Sequence, residues 1–175
     1  MLQVNIPAAE YFDERTEEFI EVSAHTLQLE HSLISISKWE AKWCKPFLAR
    51  EEKTEEETLD YIRCMTITQN VDPMVYKALP NSELQRIKDY INAPMTATWF
   101  KQDNQAPSRR VITSELVYYW MVAQNIPFEC EKWHFNRLMT LIRICGEKNQ
   151  PPKKMSKHDR KSLMAQRRAA RKPKS

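Results

Sequence analysis

Apolar and polar residues alternate at the start of the chain. Leu2, Val4 and Ile6 are spaced by polar neighbours, as are Ile20 and Val22, and again Leu27 and Leu29. A period of two is the signature of half-buried strands. It predicts a small antiparallel β-sheet within residues 1–30, with Pro7 and the acidic stretch from Glu10 to Glu18 separating the first two strands.

From Ser32 the period lengthens. Leu33, Ile36, Trp39, Glu40 and Trp43 recur at helical spacing up to Pro46, with Ser32 placed as N-cap. Thr54 with Glu57 reads as a capping box, and Glu55 and Glu56 suit the positive end of the helix that follows. That helix is expected to bury Leu59, Ile62 and Met65–Thr66. Pro73 and Pro80 punctuate a short segment, after which Ser82 and Gln85 read as another capping box opening a helix that Pro94 stops.

Residues 101–111 carry no periodic apolar pattern and read as a loop. Leu116 to Ala123 is apolar on all sides, with Thr113 or Ser114 as cap, and predicts a central buried helix. Beyond Pro127, the residues Phe128, Trp133, Phe135, Leu138, Leu141, Ile142 and Cys145 trace a broad helical stripe, with Gly146 as a left-handed stop. The fold class expected is mainly α: a helical domain with a small N-terminal antiparallel β-sheet and a basic C-terminal tail. Residues 1–150 form the domain, β over 1–30 and helical over 31–147. Pro151-Pro152 marks its boundary with the tail, 151–175, which is disordered or a marginal helix, since Ser156 to Lys172 has almost no apolar face.

Charge divides the chain at the same boundary. The tail holds ten basic residues, Lys153, Lys154, Lys157, Arg160, Lys161, Arg167, Arg168, Arg171, Lys172 and Lys174, against Asp159, a net +9. Residues 1–150 hold 17 basic and 22 acidic residues, a net −5. An acidic domain displaying a cationic arm suits three roles: nonspecific nucleic-acid binding through counterion release, docking on an acidic partner, or solubilisation.

Candidate chemistry is sparse. The one glycine, Gly146, leaves no phosphate-cradling loop and no Gly-x-Ser-x-Gly elbow. Cys130 and His134 have an i,i+4 spacing that can hold zinc, yet Cys145 lies roughly 16 Å further along a continuous helix at ~1.5 Å per residue. Core packing is the simpler role for these residues, and no metal or other cofactor is expected. The four cysteines, Cys44, Cys64, Cys130 and Cys145, read as reduced thiols. There is no apolar run of membrane-spanning length and no signal-peptide pattern at Met1–Asn5, so a cytoplasmic protein is expected. Trp39, Trp43, Trp99, Trp120 and Trp133 sit in apolar stripes of an acidic domain, which favours core or partner anchors over base stacking. A non-enzymatic role is the expectation.

Several blocks resemble a family of small proteins of tailed bacteriophages of Gram-positive hosts. They are His31-Ser32-Leu33-Ile34-Ser35-Ile36-Ser37-Lys38-Trp39-Glu40, Pro94-Met95-Thr96-Ala97-Thr98-Trp99-Phe100, Ile112-Thr113-Ser114-Glu115-Leu116 through Trp120, and Trp133-His134-Phe135-Asn136-Arg137-Leu138 up to Asn149-Gln150-Pro151-Pro152-Lys153-Lys154. The resemblance spans most of residues 25–160 and implies a tail assembly chaperone acting in the host cytoplasm. Such a protein coats the tape measure protein, or another tail protein, before tube subunits polymerise, and self-association is compatible with it. The residues expected to meet a partner are Trp39 and Trp43 on their helix and the tail cations Lys153, Lys154, Lys157, Arg160, Lys161, Arg167, Arg168, Arg171 and Lys172.

Overall fold

The first thirty residues fold back on themselves as one long hairpin. β1 (Leu2–Ile6) pairs antiparallel with β4 (His25–Leu29), and β2 (Ala9–Asp13) with β3 (Glu18–Val22). Both pairs share one register: Leu2 faces Leu29, Val4 faces Leu27, Ala9 faces Val22 and Asp13 faces Glu18. The ladder is broken at Pro7, which has no N–H to donate. The computed structural model describes residues 1–13, 18–100 and 111–149, with Lys161, Ser162, Met164 and Arg167.

The predicted sheet is present, with one correction. The acidic stretch from Glu10 to Glu18 does not merely separate strands; it contains β2 and the start of β3. Its alternation is hidden because both faces carry acids. At the base of the hairpin the pattern is clean: Val4, Ile6, Leu27 and Leu29 are buried while Gln3, Asn5, Thr26 and Gln28 are exposed. The exit of the second helix extends this sheet by one bridge, Leu29 to Thr66, with Ile67 N donating to Gln28 O at 2.8 Å.

Among the described residues up to Asn149, six α-helices and one 3-10 turn follow: α1 (Leu33–Trp43), α2 (Glu55–Met65), α3 (Pro73–Lys77), α4 (Asn81–Asn92), α5 (Ser114–Ala123), the 3-10 turn Phe128–Lys132, and α6 (Phe135–Lys148). Local chemistry sets their starts. Ser32 caps α1, Thr54 and Glu57 form the capping box of α2, and Thr113 caps α5 through Leu116 N. Asp72 caps α3, with Pro73 at its first position. The box expected from Ser82 and Gln85 does not form. Pro80 is the N-cap and its carbonyl already accepts from Leu84 N at 3.0 Å, so both residues lie inside the helix and Gln85 bonds Asp89.

α1 is the hub. It packs on α2 and α5, α2 packs on α3, and β1 rests on α4. Leu33, Ile36 and Trp39 of α1 meet a core that includes Ile62, Met65, Val117, Met121, Leu138 and Ile142, each buried side chain contributing roughly 1.5–3 kcal/mol. Leu59 is only half-buried at the edge of the core, and Tyr61 is buried.

Three further expectations fail here. The stripe from Phe128 to Cys145 is not one helix, because Trp133 is extended (φ −70°, ψ 160°) between the 3-10 turn and α6. Gly146 does not stop α6; the helix runs to Lys148, and no glycine has positive φ. α5 is buried on one side only. Residues 101–110 of the expected loop, the Pro151-Pro152 boundary and most of the tail lie outside the described residues. Lys161, Ser162, Met164 and Arg167 are helical and exposed. No helix among the described residues is long and apolar enough to cross a membrane.

Candidate functional site

Trp39 lies in the interior, with Trp43 packed at its edge. Trp39 is 1% exposed, and its Nε1 donates to Glu57 O at 2.9 Å. Trp43 is half-buried, stacked on Trp39 at 6.2 Å, and donates from Nε1 to Asp60 Oδ2 at 2.9 Å. Lys42 bonds Asp60 and Lys45 bonds Glu57, each at 2.6 Å. The Lys45 hydrogen bond, then the Thr54 N–H, hold the Glu57 carboxyl below the usual carboxylate range. Burial pushes Asp60 upward, but Lys42 and Trp43 more than reverse it, leaving its carboxyl low as well. Both indoles therefore bolt α1 to α2, which corrects the expectation that Trp39 presents a contact face. Apolar spacing alone does not separate a core Trp from an interface Trp.

A second polar cluster pins the base of the hairpin to the helices. His31, two residues beyond β4, and His134, the N-cap of α6, place their rings 5.1 Å apart. The backbones join there too, with Phe135 N donating to His31 O at 2.7 Å. His134 Nε2 lies 3.0 Å from Tyr90 O, and its Nδ1 accepts from Asn136 N at 3.3 Å. That pattern puts the proton of the neutral ring on Nε2. His31 Nδ1 is bonded to the Tyr61 hydroxyl, and Tyr90 donates to Glu30 at 2.7 Å. Burial, then the neighbouring His134, lowers His31 to about 3. Burial also lowers His134, partly opposed by the Tyr90 carbonyl. Two neutral imidazoles so engaged are fasteners.

This placement also answers the zinc question for the predicted pair. Cys130 is in the 3-10 turn and His134 caps α6 with both ring nitrogens occupied, so they do not share a helix face. Among the described residues no three His, Cys, Asp or Glu side chains group as metal ligands. The cysteines are free thiols. Burial raises Cys64 and Cys130, with Asp60 and Glu129 adding to it, which is the opposite of thiolate activation. Cys64 borders an open depression of about 340 Å³ between α1 and α2, alongside Ser35, Lys38, Ile67 and Lys132.

The surface feature that stands out is α5. Its inner side, Ser114, Val117 and Met121, is buried. Glu40 of α1 fixes its start: Oε1 accepts from Phe47 N at 2.8 Å and Oε2 from Ser114 N at 2.7 Å. Outward, Tyr119 is 65% and Val122 60% exposed, with half-buried Leu116 and Trp120 flanking them. Tyr118, one turn from Val122, donates to Glu131 at 2.9 Å and lies 6.4 Å from the ring of exposed Phe128. A helix that is apolar all round is ordinarily covered on every side. Here one side is open. The uniform hydropathy of residues 116–123 was the available signal, although it does not say which side the domain covers.

Of the tail cations expected at the site, Lys161 and Arg167 are described and exposed, and Lys153, Lys154, Lys157, Arg160, Arg168, Arg171 and Lys172 lie outside the described residues. Compared with known protein families, with curated proteins and with solved structures, the chain matches none.

Proposed function

We propose that this protein is a non-enzymatic binding protein of the phage tail assembly chaperone type, acting in the host cytoplasm. It holds an apolar helical stretch of the tape measure protein against the outward side of α5. The observation that carries this reading is the exposure of Tyr119 and Val122 on a helix whose one charged residue, Glu115, lies in its first turn. An amphipathic partner helix laid along such a surface buries its own apolar stripe, the helix-in-groove mode of recognition. Tyr is also a frequent interface anchor, giving large contact area with few rotors to freeze.

Coexpression with the tape measure protein of the same phage tests it. The full-length chain is expected to copurify with that protein, and Tyr119→Lys with Val122→Lys is expected to abolish capture while helix content stays unchanged. Equal capture by the double variant contradicts the α5 surface; no capture by the wild type contradicts the chaperone reading.

The ten cations of residues 153–174 favour a second reading, a nonspecific nucleic-acid-binding or virion structural protein acting through the tail. Duplex DNA affinity should then fall steeply from low to moderate salt. Replacing Arg167, Arg168, Arg171 and Lys172 by Gln should flatten that dependence, and an unchanged slope rules the reading out.

A further inference from the structure

The hairpin concentrates the domain's charge in one place. Residues 9–22, the strands β2 and β3 with the four residues that join them in sequence, hold six acids (Glu10, Asp13, Glu14, Glu17, Glu18, Glu21) and one base, Arg15, a net −5. Removing them from residues 1–150 leaves 22 − 6 = 16 acids and 17 − 1 = 16 bases. The whole negative excess of the domain is therefore on this ribbon, and the rest is electrically balanced.

The register makes that charge costly. Glu10 lies directly opposite Glu21, and Asp13 opposite Glu18. Directly opposed residues bring their Cβ atoms to about 4.5–5.5 Å, and like charges there destabilise a strand pair. The alternation puts Glu10, Glu21 and Phe19 on one face, and all three are exposed, Phe19 at 68%. The opposite face holds buried Val22 and, by the same alternation, the Asp13–Glu18 pair. β1 rests on α4, whereas β2 and β3 contact chiefly each other. An exposed aromatic ring beside the Glu10–Glu21 carboxylates is chemistry that recognises Lys and Arg, through cation–π contact and ion pairing together.

The chain carries such an occupant. From these observations we propose that the acidic β2–β3 ribbon is the docking surface for the chain's own basic segment, residues 153–172. That segment's charge is opposite in sign to the ribbon's and larger. From the end of α6, the 24 residues 149–172 span up to roughly 80 Å when extended, several times the radius of gyration of about 15 Å for a domain of this size. Reach is therefore no obstacle. Docking lowers the like-charge repulsion along the ribbon and withdraws the cations from other polyanions. It rests on the charge map and the ribbon register, not on the α5 reading.

Zero-length carbodiimide crosslinking of the full-length chain tests it, using an equal mixture of ¹⁴N- and ¹⁵N-labelled protein. At low salt, Lys153, Lys154, Lys157, Lys161 and Lys172 should link to Glu10, Asp13, Glu18 and Glu21 within single-isotope species. Those links should fall at least fivefold in 0.5 M salt, where charges are screened beyond about 4 Å. The exposed-site variant Glu10→Lys with Glu21→Lys should lose the links to Asp13 and Glu18 to a similar extent. Three results overturn the proposal: undiminished Asp13 and Glu18 links in the variant, tail lysines linking chiefly to Glu51, Glu52, Glu55 and Glu56, or ribbon links found only between differently labelled copies.

Discussion

Glu40 of α1 and Ser114 of α5 stand 74 residues apart in the chain, and the Glu40 Oε2 accepts the Ser114 N–H at 2.7 Å. The other oxygen takes Phe47 N at 2.8 Å, so one buried carboxylate holds the exit of α1 and the positive end of α5 at once. Removing it leaves two buried donors unpaired. Glu40→Ala is expected to cost roughly 2–4 kcal/mol in urea unfolding, with Glu40→Gln, which keeps one acceptor, costing less. Equal stability of Glu40→Ala and wild type contradicts this role.

Trp39 provides a sharper distinction between core and surface. With the ring 1% exposed and its N–H bonded to Glu57 O, Trp39→Ala should lose about 3–5 kcal/mol. Had the residue served chiefly as an external contact, the same change would barely move the unfolding midpoint.

Gly146 works in the opposite direction. It lies inside α6 without positive φ, and an added Cβ would meet only Gln124 Nε2 at 3.6 Å, an ordinary contact. Gly146→Ala should therefore stabilise the protein by about 0.5–1 kcal/mol, raising Tm by roughly 1–4 °C. A lower Tm would show that the site requires glycine.

The histidine pair predicts how stability depends on pH. Both folded-state values lie below the unfolded value of about 6.5, so between them the unfolded chain binds more protons than the native one. Stability is then complete above pH ~6.5 and declines as the solution is acidified toward about 3, where His31 itself titrates in the fold. At pH 5 the loss from His31 alone should be about 2 kcal/mol. Glu57 and Asp60, whose values are lowered, lose their contribution at more acidic pH, starting in the ordinary carboxylate range and ending below it. Urea unfolding at pH 7 and pH 5 checks the window, and His31→Gln should flatten it. A wild-type protein equally stable at both values contradicts the account.

Much of the fold was legible because its cues are local. Ser32, Thr54 and Thr113 cap the helices their spacing suggested, and the two-residue period at Val4, Ile6, Leu27 and Leu29 marks the sheet. What escaped depends on distance. Acids on both faces of β2 and β3 masked their alternation, and only the pairing reveals Glu10 against Glu21. The His31–His134 contact joins residues no local pattern connects. On α5 the composition showed an apolar helix, but which side the domain covers is set by Glu40 and the packing of α1. Trp39 and Tyr119 both sit at helical spacing among apolar residues, and only tertiary packing sends one inward and the other out.

Calorimetric titration of the full-length protein with helical peptides spanning a tape measure protein, the partner proposed above, at several temperatures, addresses the central claim most directly. At least one apolar peptide is expected to bind with a negative heat-capacity change, the mark of apolar burial, and Tyr119→Lys with Val122→Lys should weaken it at least tenfold. Absence of binding by every peptide, or unchanged affinity in the double variant, would contradict the assignment of the outward α5 side as the partner surface.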